Sequence, residues 1–277
     1  AVRELVRPAG VLSGDGLFAV RVPEGEFRLA YLLPGETAEE GDLLARLESA
    51  AGEDVIAVSE DIARYLEARY GVAAAVIPNG VEAPVPRPPG PRLAALGLAP
   101  RRYVLSVGRL VPEKGLHVLV RAFAQLRTDW RLVMAGPAQD PRYARALRAA
   151  AAACPRILFP GTFQGADLQE LYSNAGAFAL PSRIEGFPIA LLEAVSYGLP
   201  VIASAIPGVR EALAAAGVED AELCAAGDAG ALAAGLARVL ARPAPARVRA
   251  RGVPAGLSWE AAAARTEQVY RAAAPAR

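Results

Sequence analysis

The spacing of apolar positions changes several times along the chain, and each change marks an element. LFAVRV (17–22) and FRLAYLL (27–33) alternate with period two around Pro23-Glu24-Gly25-Glu26, which predicts a β-hairpin. Gly41 to Ala51 predicts a short helix. From Asp54 the pattern is regular: DVIAVS is a buried strand, Ser59 an N-cap, EDIARYLEARY an amphipathic helix ending at Gly71, and AAVIPNG a second strand. Together they predict one β-α-β unit. EAPVPRPPGP (82–91) is too rich in proline for a helix or an inner strand and predicts a semi-rigid linker. Beyond it the apolar runs YVLSVGRL, WRLVMAG, RILFPG, AFALPS and PVIASAI alternate with helical patterns such as GLHVLVRAFAQL and DLQELYSNA. Such alternation predicts a parallel sheet covered on both faces, with ligands beyond the carboxyl ends of its strands. ALAAGLARVLA and SWEAAAARTEQVYRAAA are two further helices, the second anchored by Trp259 and Tyr270.

Composition refines this picture without changing it. The 277 residues suffice for one large domain or two modest ones, and 53% apolar content with only 6% aromatics fits a helix-rich α/β chain. Thirty basic residues against 29 acidic leave no global field to recruit nucleic acid. The arginines at 238, 242, 247, 249 and 251 form a basic segment best explained by solvated helix faces and loops. Cys154 and Cys224 lack any Cys-x-x-Cys spacing and read as reduced core thiols of a cytoplasmic protein. No apolar run approaches the ~20 residues of a membrane span, and the first residues lack the pattern of a secretory leader. Asp-x-Asp, a His-Cys cluster and a Walker sequence are all missing, so no metal site is expected.

Candidate chemistry concentrates in PSRIEGFPIALLEAVSYGLPVIAS (181–204), read as strand end, loop, helix, turn and next strand. Pro188, Leu191, Leu192, Val195 and Leu199 share one helical face, and Glu193 projects from the other. Pro188 suits the helix start and Gly198 its exit. Glu185 and Glu193 lie at most ~12 Å apart along such an element. That span fits hydroxyl groups at opposite ends of one ligand, with the helix start between them for negative charge. A nucleotide-diphosphate sugar has this layout. GRLVPEKG places Arg109 and Lys114 in one loop ahead of another helix start, a forked guanidinium and a mobile ammonium suited to a diphosphate. Gly14-Asp15-Gly16-Leu17-Phe18-Ala19 matches a dinucleotide fingerprint formally, but a strand pattern follows it, so a plain turn is expected. His117, the single histidine, reads as a structural or surface residue.

VGRLVPEKGL, LVMAG, FPGTF with DLQELYSNA, LPSRIEGFPIALLEA and GLPVIAS together resemble the C-terminal domain of family 4 glycosyltransferases (glycosyl transferases group 1). IAVSEDIARYL and VIPNGVE look like the last segment of that family's N-terminal domain, so the resemblance runs from about Asp54 to the C-terminus. It implies an α/β chain of the GT-B fold, with one complete Rossmann-like donor-binding domain and a partial N-terminal α/β domain. The implied division is 1–84 for a shortened acceptor-side domain, 85–100 for a linker and 101–257 for the donor domain. Residues 258–277 would form a helix packing back toward the N-terminal part. The roughly 80 residues at the front fall below a usual domain size, and the family's Gly-rich loop and acceptor-side histidine have no match there.

By similarity, Glu185 would contact the donor sugar and Glu193 the ribose hydroxyls. Arg109 and Lys114 would hold the diphosphate. Backbone amides of Gly186, Phe187 and Ile189 would line the sugar and phosphate site, and Gly161, Thr162 and Phe163 would border the base. Arg109, Lys114 and Glu185 are the expected catalytic residues. The implied activity is metal-independent, retaining, hexosyltransferase-like transfer from a nucleotide sugar, UDP or GDP more than ADP, without a cofactor. The acceptor would be a glycan, a lipid-linked sugar or a small molecule. The resemblance leaves room for peripheral membrane association and for a partner chain or homodimer that completes the cleft. Two alternatives stand beside it: a nucleotide-sugar-binding module that needs another chain to catalyse, and a sugar-nucleotide epimerase on the same fold.

Overall fold

The computed structural model describes residues 19–21, 28–30, 55–242 and 250–273. The expected turn at Gly14–Ala19, the helix at Gly41–Ala51 and the arginines at 247 and 249 fall, wholly or nearly so, outside them. The chain divides into two compact units. Described residues up to Glu82, with Ile184–Ile189 and those from Ala255 onward, form the first. Ala83–Arg183 and Ala190–Pro254 form the second.

In the first unit, β1 (Ala19–Arg21) pairs antiparallel with β2 (Arg28–Ala30), the pairing a hairpin requires. β3 (Val55–Ala57) and β4 (Ala74–Val76) pair in parallel across α1 (Glu60–Tyr70). α1 starts because the Ser59 hydroxyl accepts the Ile62 N–H, and it stops at Gly71, where the Gly71 N–H turns back to the Glu67 carbonyl and the Val72 N–H to the Leu66 carbonyl. Ile56, Ile77 and Ala262 form a small buried core, packed by Trp259, Val269 and Tyr270 of the last helix, α9 (Trp259–Ala273).

The second unit is built on six parallel strands. In chain order these are β5 (Tyr103–Val107), β6 (Arg131–Ala135), β7 (Ile157–Gly161), β8 (Ala177–Leu180), β9 (Val201–Ser204) and β10 (Glu222–Cys224). In space they run β10-β9-β8-β5-β6-β7. From β5 the chain winds outward to β7, then crosses back to β8 on the other side of β5. The switch point of this doubly wound sheet therefore lies between β5 and β8, where such sheets open a crevice at their carboxyl ends. Burial on both faces explains why β5, β8 and β9 read as nearly continuous apolar runs, with Ser106 and Ser204 the polar exceptions.

α3 (Leu116–Ala124) packs between α4 (Pro141–Ala151) and α8 (Ala229–Ala241), and this layer closes a large core with Phe123, Leu132, Met134 and Leu236. The remaining helices of the unit are α2 (Pro91–Ala95), α5 (Gly165–Asn174), α6 (Ile189–Ser196, its first residue in the other unit) and α7 (Pro207–Ala215). Among the described residues no helix is long and apolar enough to cross a membrane.

From Ala83 the proline-rich stretch is grouped with the second unit, and α2 begins at its last proline. Pro91 occupies the first turn, where a missing N–H costs nothing, and Leu93 is buried. The Glu170 carboxylate, 6% exposed, accepts the N–H groups of Gly90 and Leu93, each at 2.9 Å. Arg87 adds a bond from its N–H to Ser173 Oγ at 2.9 Å, so the proline-rich segment is fastened along α5.

Candidate functional site

β5 ends at Val107, and the loop after it is tied down on both sides. The Gly108 N–H donates to Ala135 and the Leu110 N–H to Pro137, which joins the loop to the exit of β6. A Cβ at Gly136 would overlap the Gly108 carbonyl oxygen, so the two exits approach as closely as glycine permits. A 3-10 turn over Pro112–Lys114 follows and ends at Gly115, whose φ is 62°. A side chain there would strike the Pro181 carbonyl, and the Arg183 N–H donates to the Glu113 carbonyl at 2.8 Å. The loop is thus held against the exit of β8 as well.

Arg109 and Lys114 project from this loop. The Arg109 side chain is 13% exposed, and its guanidinium lies 3.8 Å from the Glu113 carboxylate. It also donates to Gln139 Oε1 at 3.1 Å. Lys114 is 7% exposed, with Gly108 beside its methylene stem. Two cations therefore stand at the switch point, little exposed and carried on a braced loop.

The helix start behind them is not open. The Tyr143 hydroxyl accepts the His117 N–H at 3.1 Å and lies 3.0 Å from His117 Nδ1. That phenol occupies a first-turn donor of α3, so Arg109 and Lys114 supply the positive charge of this loop without help from that N–H. Burial first, then the charges of Arg121 and Arg183, lowers the pKa of His117.

Glu193 sits on α6, whose Leu191, Leu192 and Val195 are buried. The helix closes through the Gly198 N–H to Val195 and the Leu199 N–H to Ala194. The Tyr172 hydroxyl, from α5, donates to Glu193 Oε2 at 2.8 Å. Burial first, then the Glu193 charge, raises the Tyr172 pKa well above its ordinary value, so the phenol stays a donor. Its ring stacks on Tyr197 at 5.4 Å and 12°, and Tyr197 Oη accepts the Val85 N–H at 3.1 Å. Sequence reasoning assigned neither tyrosine a role. The available signal was an aromatic hydroxyl on the buried face of an otherwise polar helix.

The other expected residues divide between the units. Glu185, Gly186, Phe187 and Ile189 belong to the segment Ile184–Ile189, grouped with the first unit. Glu185 is 7% exposed, and the Phe187 carbonyl accepts Asn79 Nδ2 at 2.8 Å. Gly161 ends β7, Thr162 is exposed, and Phe163 lies under the Arg92 guanidinium at 5.8 Å. Arg109, Lys114 and Glu193 share the second unit, on elements that follow β5 and β8 directly.

The sequence profile of the family "Glycosyl transferases group 1" matches residues 95–252, more than half of the chain. Glycogen synthase of Mycobacterium tuberculosis is 36% identical over 186 residues, which cover 61% of this chain and 42% of that protein. Sucrose-phosphate synthase from Thermosynechococcus elongatus superposes with a TM-score of 0.72 at 30% identity, over 87% of this chain and 64% of that one. The Anabaena protein HepE, crystallised with UDP and glucose, superposes at 0.67 with 22% identity, covering 83% of this chain and 67% of its own. The chain thus spans under half the length of its curated relative in M. tuberculosis.

Proposed function

Because this chain belongs to the Glycosyl transferases group 1 family, we propose that it transfers a sugar from a nucleotide-diphosphate sugar to an acceptor hydroxyl with retention at the anomeric carbon. Its fold is α/β of the GT-B type, with one complete Rossmann-like parallel-sheet domain. The observation that carries the reading is that Arg109, Lys114 and Glu193 lie on elements following β5 and β8, the two strands flanking the switch point. The complex of HepE with UDP and glucose supports a uridine or related diphosphate as the donor's nucleotide.

In this reading Arg109 and Lys114 bind the diphosphate, and Glu193 accepts the ribose hydroxyls. Glu185 meets the donor sugar, and the backbone at Gly186, Phe187 and Ile189 lines the sugar and phosphate. Gly161, Thr162 and Phe163 border the base. The bond from the anomeric carbon to the diphosphate oxygen breaks as the acceptor oxygen attacks from the same face. The acceptor proton passes to the departing phosphate oxygen. Charge grows on that oxygen in the transition state, so fixed cations beside it accelerate the step more than they tighten ground-state binding. Arg109 and Lys114 supply this charge from the protein itself. Both cysteines are free and buried, which suits the reducing cytoplasm where nucleotide sugars are made.

A calorimetric screen of UDP-, GDP- and ADP-sugars, followed by transfer and donor-hydrolysis assays, tests the proposal. Binding of a UDP- or GDP-sugar with turnover that collapses in Lys114→Ala and Arg109→Ala is expected. Full activity in both variants, or no affinity for any nucleotide sugar, overturns it. Binding without turnover over a broad acceptor panel points instead to a donor-holding module.

A further inference from the structure

We propose that Tyr172 is a positioning residue for Glu193, its hydroxyl fixing one carboxylate oxygen so that the group is presented in one orientation to the vicinal hydroxyls of a ribose. This rests on the reading of the second unit as a nucleotide-sugar site. A glutamate on a helix turns about three side-chain bonds, and a carboxylate that must receive two neighbouring hydroxyls gains from having that freedom removed beforehand.

The geometry around Tyr172 is suited to this. Its hydroxyl has two acceptors within reach, the Ala190 carbonyl at 3.3 Å and Glu193 Oε2 at 2.8 Å. The shorter bond goes to the charged group, which is the stronger acceptor. The ring cannot swing away. Tyr197 stacks against it at 5.4 Å, and Phe178 of β8 lies against it at 6.0 Å. Tyr197 is held in turn by the Val85 N–H on the proline-rich segment, which Glu170 and Ser173 fasten to the same helix that carries Tyr172. A phenylalanine would fill the same space and keep both ring contacts. The oxygen is therefore the part of the side chain whose purpose packing does not supply.

The test uses the full chain and compares UDP and GDP with their 2′,3′-dideoxy counterparts by calorimetry. Tyr172→Phe should weaken the diol-bearing nucleotide about tenfold, the usual worth of a hydrogen bond to a charged group. It should change the dideoxy nucleotide less than about twofold, within the scatter of a neutral packing change. Glu193→Gln should show the same selectivity, and the double variant should be no worse than Glu193→Gln alone. Unchanged UDP and GDP affinity in Tyr172→Phe overturns the proposal. So does equal weakening of diol and dideoxy ligands, which would mark a structural role.

A ligand-free reading keeps the contact testable even if Tyr172→Phe does not fold. A phenol donating to a carboxylate absorbs at longer wavelength, so Glu193→Gln should blue-shift the band of one tyrosine. Absence of that difference overturns the positioning. Absence of binding by any nucleoside diphosphate, with the spectral shift present, overturns the reading of the site instead.

Discussion

Arg109 reaches the Glu113 carboxylate at 3.8 Å and the Gln139 amide oxygen at 3.1 Å, whereas Glu193 is met at 2.8 Å by a buried hydroxyl clamped between aromatic rings. At the proposed phosphate end Arg109 thus meets its partners at longer range, from a braced backbone. The ribose end has its side chain fixed. The difference matches what each end must do. A departing diphosphate gains charge and shifts during the reaction, so its partners must follow it. A ribose has the same shape before and after transfer, and there rigidity lowers the cost of binding.

The sharpest way to break this contrast is kinetic. Lys114→Ala should lower kcat about 10²- to 10³-fold with a smaller change in KM, as loss of a charge partner to a forming oxyanion does. Steady-state assays with a UDP- or GDP-sugar read this directly. A drop confined to KM would make the phosphate end another rigid anchor. At the ribose end Tyr172→Phe should do the reverse, moving affinity and leaving kcat nearly constant.

Backbone support at the phosphate end is tested by Gly115→Ala. A side chain at φ 62° that also meets the Pro181 carbonyl should lower stability by about 2 kcal/mol or more and depress kcat with it. Urea denaturation gives the first effect. A stable but inactive variant would show that the loop moves without unfolding the sheet.

Glu170→Gln probes the strut behind the ribose end. It keeps the shape but weakens the bonds from Gly90 and Leu93, for a loss of about 1–2 kcal/mol in the same denaturation experiment. No change would mean that the proline-rich segment holds its place through Leu93 and Arg87.

The last effect is a dependence on alkaline pH. Burial raises the pKa of Tyr103 and Tyr172 above the ordinary value of 10.0. Below that value both states are protonated and the stability is complete. Above it the unfolded chain releases protons that the folded chain retains, so stability should fall, by up to about 1.4 kcal/mol per pH unit for each such tyrosine. Melting curves between pH 9 and 11 should show the decline, with a shallower slope in Tyr172→Phe.

Much of this molecule is legible without coordinates because its signals are local. The Ser59 cap, the 60–70 helix and the Gly71 exit appear where the pattern puts them, and β5 through β9 follow the apolar runs. β10 escaped notice because it is three residues long at a sheet edge, with two of its positions only half-buried. α2 escaped because its cap comes from Glu170, some eighty positions along the chain. The expected residues Arg109, Lys114 and Glu193 belong to one unit, but the pair Glu185 and Glu193, eight positions apart, is divided between the two.

The order of residues alone determined the alternation of strand and helix, the helix boundaries and the charged groups available for chemistry. Each of these depends on neighbours within a turn or two of backbone. Tertiary structure decided the strand order, and hence where the switch point falls, the fastening of the proline-rich segment, and which hydroxyl meets Glu193. Those outcomes rest on contacts between residues 20 to 112 positions apart, for which periodicity and capping carry no signal.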